Sequence, residues 1–412
     1  MSKFTLPRDT LLRVIMSAVA AELRDGCGRT LEPATIASWT PDTDFGEQGL
    51  DLDSLELLAC AGRINQLFHM HEAGIEDYLL RDRSFGQWAQ IVEASLGHAS
   101  DRLTFLTSGS TGEPKPCTHD TALLAQEIAA FAPLLAGTTR IIACVPGHHI
   151  YGFLFTALMP QHLDVPVIEG RFLSPGQWTG LLQRGDLIVS SPSFWQYLAR
   201  SLPAFPDGVA GLTSTAPMPR ALADTLTGNG LSRLIEIYGS SETAGVGWRD
   251  DPGAPYTLLP FWHSAPDSRL RRSLPDGTDG EPQSAMDLLI WEPPAATERS
   301  GPTKFRPAGR RDNAVQIGGT NVFPARIAAV ICDHDLVARC TVRRAQDTSV
   351  DRLKAHIVLK GNIDPTPAIV RDIEAWCRDH LKVAERPRLL CFGDDVGTED
   401  QAGAPLRQAS GF

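Results

Sequence analysis

The chain has 412 residues, 42% of them apolar and 21% charged, with a formal net charge of −11. That is ordinary globular composition with room for two or three domains, and the acidic balance disfavours a nucleic-acid partner, which asks for a basic face. None of the cysteines at 27, 60, 117, 144, 332, 340, 377 and 391 forms a Cys-x-x-Cys pair, so a zinc site is not expected. Residues 1–7 carry no apolar signal region, and no stretch approaches the length of a membrane span. These features read as a soluble, cytoplasmic protein with reduced thiols.

Residues 1–98 read as a helical block. Leu11, Leu12, Val14, Ile15, Ala18, Val19 and Leu23 recur at helical spacing. A loop rich in Pro, Thr and Asp follows from Pro33 to Asp44, and Asp53 then stands at an N-cap position before a second amphipathic run, Leu55 to Phe68. Shorter apolar runs lie at Ile75–Leu80 and Trp88–Leu96. Strand signals are nearly absent, so a helical bundle is expected.

Residues 99–308 alternate between two patterns. Strands are expected at Leu103–Leu106, Arg140–Val145, Val165–Ile168, Leu187–Ser190 and Leu234–Tyr238, and helices at Thr121–Leu135 and Ser193–Ser201. Such alternation predicts an α/β fold with a largely parallel sheet covered by helices. Beyond about Gly247 the chain is rich in Pro, Gly and Asp, with short strands such as Met286–Trp291. Residues 309–412 mix strand and helix patterns at Arg326–Cys332, Val337–Arg343, Ala355–Leu359 and Ile369–Leu381, as a small α+β lid would.

The strongest local signal is Thr107-Ser-Gly-Ser-Thr-Gly-Glu-Pro-Lys115, directly after the first expected strand. Gly109 and Gly112 let the backbone present N–H groups to phosphate oxygens. Thr107, Ser108, Ser110 and Thr111 add hydroxyls, and Lys115 adds positive charge. A P-loop NTPase is excluded by spacing: five residues on from Gly109 stands Pro114, and Lys115 is followed by Pro116.

The loop resembles the phosphate-binding signature of the adenylate-forming superfamily, which includes acyl- and aryl-CoA synthetases, luciferase and peptide-synthetase adenylation domains. Three further stretches resemble that family in the same order. Pro146-Gly-His-His-Ile-Tyr-Gly152 resembles the segment lining the acyl pocket, with His149 near the substrate carboxylate. Tyr238-Gly-Ser-Ser-Glu-Thr243 resembles the Tyr-Gly-x-x-Glu motif. There the resemblance implies Tyr238, Gly239 and Ser240 at the nucleotide, Thr243 at the α-phosphate and Glu242 on Mg²⁺. Ser214-Thr-Ala-Pro-Met218 occupies the place of the adenine segment. Gly309-Arg-Arg-Asp312 and Gln316-Ile-Gly-Gly-Thr-Asn-Val-Phe-Pro324 resemble the hinge and the loop after it. The resemblance then gives Arg310 to the ribose, Asp312 to the pivot and Gly318 and Gly319 to the pantetheine tunnel. No acidic residue falls between Thr138 and Leu163 to pair an ammonium group, so an α-amino acid substrate is disfavoured. The adjacent His148 and His149 are not read as a metal pair, because neighbours in a strand point apart.

Three departures stand out. The segment ahead of the phosphate loop is shorter than the family's, and it looks helical. The stretch Pro293–Lys304 holds no Asp for the ribose hydroxyls, only Glu298. Ala402-Gly-Ala-Pro-Leu-Arg407 places Ala404 where the family carries a lysine that bridges carboxylate and phosphate. Meanwhile Gly49-Leu-Asp-Leu-Asp-Ser-Leu55 resembles the Asp-Ser-Leu motif of acyl carrier proteins, with Ser54 as the phosphopantetheine site, so residues 1–98 are expected to form a carrier-like domain. An N-cap role for Asp53 or Ser54 is the plainer alternative.

Together these readings predict a shortened adenylation core at 99–308, a C-terminal lid at 309–412 and an AMP-forming acid–thiol ligase using ATP and Mg²⁺. The pattern looks most like small aryl:acyl carrier protein ligases of aryl-polyene-type pigment pathways. The resemblance implies a hydroxybenzoate-type acid as substrate and a phosphopantetheine thiol as acceptor, on a carrier protein in trans or on Ser54 in cis. A CoA ligase for an aryl or medium-chain acid, or a non-catalytic ATP-binding relative, are the alternatives. If Ala404 holds the lysine position, Ala404→Lys raises acid-dependent pyrophosphate release, because a fixed positive charge then meets the developing negative charge; an unchanged rate in that assay would overturn the alignment.

Overall fold

A computed structural model gives the architecture and describes residues 4–98, 101–108, 114–266, 269–293, 303–310, 314–317, 320–345 and 352–393. They divide into two compact units. One comprises Met1–Thr107, Pro116–Ala285 and Leu289–Pro307, the other Ser108–Lys115, Met286–Leu288 and Ala308–Phe412.

The first unit begins with α1 (Arg8–Ala21), entered through Pro7, whose fixed φ suits a helix start. A π-helical turn, Glu22–Gly26, continues it. The short α2 (Pro33–Ala37) leads to α3 (Ser54–Phe68). The Asp53 carboxylate accepts from Leu55 N–H and Glu56 N–H, both at 2.8 Å, while Glu56 accepts from Asp53 N–H at 3.0 Å. This reciprocal cap satisfies donors the helix itself cannot. Arg29 locks the cap, its Nε on Glu56 at 2.5 Å and its Nη1 on the Leu50 carbonyl at 2.7 Å. After α4 (Tyr78–Arg81), α5 (Phe85–His98) buries Phe85 and Trp88, which pack edge-on against Phe45 at centroid distances of 4.9 and 4.8 Å.

The strands β1 (Arg102–Ser108) and β2 (Pro114–Asp120) form a sheet of their own. Downstream, α6 (Thr121–Phe131) precedes β3 (Arg140–Ala143), β4 (Val167–Glu169), β5 (Asp186–Ser190), β6 (Ala210–Thr213) and β7 (Arg233–Ser240). These five strands run parallel in the order β4-β3-β5-β6-β7. Between β3 and β4 lie α7 (Ile150–Phe153), a π-helical turn (Leu154–Leu158) and α8 (Met159–Leu163); α9 (Pro175–Leu181), α10 (Pro192–Ser201) and α11 (Arg220–Gly228) make the other crossovers. Then the sheet changes sense. The strands β8 (Ala244–Arg249) and β9 (Tyr256–Leu258) join antiparallel, and β13 (Asp287–Trp291) and β14 (Lys304–Arg310) complete nine strands. The expected sheet is therefore parallel in one half and antiparallel beyond β7. A three-stranded sheet of β10 (Trp262–Ala265), β11 (Arg269–Arg272) and β12 (Gln283–Ser284) stands beside it.

The helical block packs into the core of the sheet. Residues from Leu6 to Leu96 share one continuous apolar core with Phe105, Phe131, Phe153, Phe155 and Ile235. The reason lies in α1, which buries Leu11, Leu12, Val14, Ile15, Ser17, Ala18 and Val19. That is more than one stripe, and a helix buried on several sides needs neighbours on several sides. Arg13 Nη2 donates to the Thr156 carbonyl at 2.8 Å, tying α1 to the crossover after β3.

In the second unit, β15 (Val315–Ile317) and β16 (Thr320–Val322) pair antiparallel. Two helices, α12 (Pro324–Cys332) and α13 (Pro367–His380), accompany a sheet of β17 (Val337–Arg344), β18 (Leu353–Leu359) and β19 (Leu389–Phe392). Their core is built from Ile327, Ile331, Val337, Ile357 and Ile373. Among the described residues no helix is long and apolar enough to cross a membrane, and all eight cysteines are free thiols.

A shared core makes a cooperative prediction. Removing the fully buried Trp88 side chain by Trp88→Ala costs about 3–5 kcal/mol. Urea unfolding followed by far-UV circular dichroism and tryptophan fluorescence then shows block and sheet losing structure together at lower denaturant; an early, separate transition of the helices would contradict the shared core.

Candidate active site

Open α/β sheets bind ligands beyond the carboxyl ends of their parallel strands, at the point where strand order reverses. Here the chain moves outward from β3 to β4 and then crosses to β5 on the other side of β3. Three stretches singled out in the sequence leave those carboxyl ends: Cys144–Gly152 follows β3, Ser214 follows β6, and Tyr238–Thr243 closes β7. Two buried hydroxyls at the ends of β5 and β6, Ser190 Oγ and Thr213 Oγ1, have no hydrogen-bond partner among the described residues. Orphaned buried hydroxyls are uncommon, and two at adjacent strand ends are suited to a polar ligand.

The segment after β3 turns before it becomes helical. Gly152 is required there, because a Cβ would lie 2.0 Å from the Pro146 carbonyl oxygen. Tyr151 Oη donates to the Ser190 carbonyl at 3.1 Å, holding this segment to the end of β5. His148 and His149 do not point apart. They sit in a turn, with ring centroids 4.2 Å apart. His148 is buried and hydrogen-bonded through Nδ1 to the Ser17 hydroxyl of α1 at 2.8 Å. Burial pushes its pKa well down, and the neighbouring His149, Arg63 and Arg171 charges add to this. His149 is reached by solvent, yet its pKa is pushed down to about 4, first by desolvation and next by the Arg63 charge. At neutral pH both imidazoles are uncharged, and they offer hydrogen bonds rather than positive charge.

The turn from β7 to β8 carries the second group. Gly239 is fitted to a close approach, since a Cβ would lie 2.3 Å from the Ala244 carbonyl oxygen. Ala244 itself has φ +57°, the left-handed region that L side chains rarely adopt. Ser240 Oγ and Thr243 Oγ1 are 3.1 Å apart, and Ser240 Oγ accepts from Thr243 N–H at 3.2 Å. Thr243 is buried, while the adjacent Glu242 is exposed. Tyr238 lies in an aromatic cluster with Tyr256 and Phe305, at 5.4 and 5.3 Å. Ser214 Oγ donates to the Ile237 carbonyl at 2.9 Å, joining the segment after β6 to β7.

Several residues at this turn have no motif signal. His119 of β2 is hydrogen-bonded through Nε2 to the Ser241 carbonyl at 2.6 Å. Glu127 of α6 is wholly buried, and both its oxygens accept from Gly245 N–H at 3.0 Å. Trp262 Nε1 donates to the Gly245 carbonyl at 2.8 Å. Behind β7, buried Glu236 accepts from Arg249 at 2.8 Å, Tyr256 Oη at 2.6 Å and Met218 N–H at 3.0 Å.

Other expected residues fall elsewhere. Thr107 ends the first unit's share of β1 and Lys115 is exposed in β2. Ser108 and Arg310 belong to β1 and β14. Gly109, Ser110, Thr111, Gly112, Asp312, Gly318, Gly319 and Ala404 lie outside the described residues, as does Glu298. Ser54 is exposed at the first position of α3. The capping there is accounted for by Asp53 and Glu56.

Residues 82–265 match the AMP-binding enzyme family. A 4-coumarate–CoA ligase of Halorhodospira halophila is 38% identical over 395 residues, 95% of this chain and 97% of that protein. The chain belongs to the AMP-binding enzyme family. A 4-coumarate–CoA ligase of Rhodobacter capsulatus is 34% identical over 92% of this chain and 95% of that protein. Among solved structures, o-succinylbenzoate CoA synthetase from Bacillus subtilis superposes with a TM-score of 0.58 at 16% identity, covering 94% of this chain and 90% of that one. That likeness bears on the α/β fold. Family membership carries the coarser chemistry: ATP is bound and a carboxylic acid is activated by an AMP-forming acid–thiol ligase.

The residues present suit a nucleotide and a divalent cation. The orphaned Ser190 and Thr213 hydroxyls supply polar contacts, and exposed Glu242 supplies a hard oxygen donor of the kind Mg²⁺ prefers.

Glu127 generates a pH prediction. Burial is the larger influence and pushes its carboxyl up to about 7, against the opposing pull of Arg272 and Gly245 N–H; the ordinary value is 4.5. A folded value above the unfolded one means that folding favours the protonated acid. Its contribution is therefore intact below pH 4.5 and is lost as pH rises through about 7. The loss is at most roughly 3 kcal/mol. Glu127→Gln keeps an acceptor for Gly245 N–H and abolishes that loss, so thermal midpoints of the two proteins diverge across this window. Parallel midpoint curves would refute the assignment.

Proposed function

We propose that this chain activates a hydroxylated aryl carboxylic acid with ATP and passes the acyl group to the thiol of coenzyme A. The reading is carried by the close likeness, along nearly the whole chain, to proteins named 4-coumarate–CoA ligase. It is supported by the convergence of the segments after β3, β6 and β7 on one edge of the sheet. The acid class is that of hydroxycinnamates and hydroxybenzoates: a planar ring, a carboxylate and a ring hydroxyl.

In the first step a carboxylate oxygen attacks the α-phosphorus of ATP. The bond to the β-phosphate oxygen breaks, and pyrophosphate leaves with the electron pair. Thr243 and Ser240, hydrogen-bonded to each other, stand ready to contact the α-phosphate. Tyr238 and Ser214 border the place of the adenine, and Arg310 is assigned to the ribose. Thr107, Ser108, Gly109, Ser110, Thr111, Gly112 and Lys115 are assigned to the β- and γ-phosphates. Glu242 would hold Mg²⁺, which when bound offsets phosphate charge. His149, uncharged at neutral pH, orients the acid by hydrogen bonding without competing for the role of cation.

In the second step the thiol sulfur attacks the acyl carbon. The bond to AMP breaks, AMP leaves with the electron pair, and the thiol proton passes to solvent. Gly318 and Gly319 are assigned to the pantetheine path and Asp312 to the hinge between steps. Coenzyme A and a carrier protein present the same phosphopantetheine thiol. Coenzyme A is favoured here because a swinging arm on Ser54 needs a domain free to move, and α3 is built into the core of the first unit.

Thioester formation measured with 4-hydroxycinnamate and 3-hydroxybenzoate separates these assignments. Coenzyme A is expected to be the better acceptor, Ser54→Ala leaves the rate within about 2-fold, and Glu242→Gln raises the Mg²⁺ needed for half-maximal pyrophosphate release by about 10-fold or more. Transfer to a phosphopantetheinylated carrier protein with none to coenzyme A would overturn the acceptor. Self-loading lost in Ser54→Ala would restore the cis arrangement.

A further inference from the structure

The chain leaves α3 through a short run rich in donor atoms, His69-Met-His-Glu72. Among the described residues, His69, His71 and Glu72 bring one ligand atom each within 4.8 Å of one another. Two local features build this grouping. The helix is capped at His69, whose backbone is left-handed at φ +52° and whose N–H donates to the Asn65 carbonyl. A 3₁₀ turn, Met70–Glu72, follows at once. Glu72 N–H closes it on the His69 carbonyl at 3.0 Å, and the buried Met70 side chain anchors it. His69 and Glu72 thus lie side by side, with Nδ1 3.4 Å from Oε1.

Each of the three side chains is held by a further group. His69 Nε2 is hydrogen-bonded to Thr104 Oγ1 of β1 at 2.7 Å, which leaves Nδ1 toward Glu72. Asn65 Oδ1 accepts from His71 N–H at 2.9 Å and lies 3.3 Å from His71 Nδ1. Glu72 Oε1 accepts from Arg102 Nη2 of β1 at 2.5 Å. Imidazoles and carboxylates that bind metals are oriented by outer contacts of this sort. Burial is the first influence on His69 and lowers its pKa, so the ring is neutral at neutral pH, as a ligand must be. Two ligands bound to one zinc ion at tetrahedral angles stand roughly 3.4 Å apart, which is the spacing of His69 and Glu72. His71 is exposed, and rotation of its side chain brings it into the same sphere. Arg102 competes for one oxygen, but its pair with Glu72 is partly exposed, and such pairs contribute little.

We propose that His69, His71 and Glu72 form a binding site for a divalent ion of the zinc class, with the remaining coordination left to water. Two imidazoles and one carboxylate suit Zn²⁺ and its transition-metal neighbours, whereas Mg²⁺ and Ca²⁺ take oxygen ligands. None of the three ligands is a cysteine, so cysteine spacing gives no sign of the site. Through Thr104 and Arg102 the site adjoins β1, and Thr104 Oγ1 lies 2.7 Å from Thr118 Oγ1 of β2. The bound ion ties the end of α3 to the two strands that flank the phosphate-loop segment. It stabilises the folded chain, because it binds a grouping that only the folded chain presents, and it takes no part in bond making.

The test uses the full chain, stripped of metal with a chelator, dialysed and titrated calorimetrically with Zn²⁺ alone. The unaltered chain is expected to bind one equivalent at micromolar concentrations, and to keep it against about 100-fold more Mg²⁺ or Ca²⁺. His71→Ala and Glu72→Gln each weaken binding by about 10-fold or more. Arg102→Gln leaves it equal or tighter, since Glu72 Oε1 is then released. Zn²⁺ raises the thermal midpoint of the unaltered chain but not that of His71→Ala. Midpoints measured without metal certify the folds, and should His71→Ala not fold, Glu72→Gln makes the same comparison. Absence of Zn²⁺ binding up to millimolar concentration would overturn the proposal. So would an affinity unchanged in either ligand variant, which would move the ion to other histidines or to the free thiols. Displacement by Mg²⁺ or Ca²⁺ at that excess would overturn the metal class, and weaker binding in Arg102→Gln would overturn the ligand assigned to Glu72.

Discussion

One backbone group, the N–H of Gly245, governs the shape of the turn from β7 to β8. The chain must reverse between β7 and β8, and it does so through Ala244 in the left-handed region. A non-glycine residue there is strained, and strain persists only where surrounding contacts over-determine it. Glu127 supplies that constraint from beneath, with both oxygens on Gly245 N–H. Trp262 binds the carbonyl of the same residue, and His119 binds that of Ser241. Four elements, β2, α6, β8 and β10, are thereby fixed around a few residues. Thr243 and Glu242 inherit their positions from this arrangement.

The segment after β3 is held differently, by helix α1. Ser17 fixes His148, and Arg13 fixes the Thr156 carbonyl. Any movement of α1 would shift these groups together.

Legibility in the sequence followed from range. Motifs that act within a few residues were readable: Tyr238 to Thr243 closes a strand, and the segment from Pro146 to Gly152 turns after one. The parallel strands β3, β4, β5 and β7 were readable too, because they are short apolar runs bounded by turns, whereas β6, Ala210–Thr213, has Leu212 as its one large apolar residue and was not. The antiparallel half was less so. Gly245 and Gly247 interrupt β8, and β10 to β12 carry arginine, histidine and serine in place of a clean alternation. The shared core of the helical block and the sheet was not legible for a similar reason. Periodicity reveals that α1 has an apolar face, but the breadth of burial depends on what lies across it. Glu127 and His119 are single polar residues within a helix and a strand, and only tertiary partners distinguish them from solvated neighbours.

The two histidines after β3 are pushed toward the neutral form, first by burial. A neutral imidazole can still hold a carboxylate by a hydrogen bond, and it leaves the electrons of that carboxylate available. An ion pair with a desolvated cation would hold those electrons more tightly. Under the proposed reaction the carboxylate must attack phosphorus, so an uncharged histidine orients it without quenching the attack it has to make.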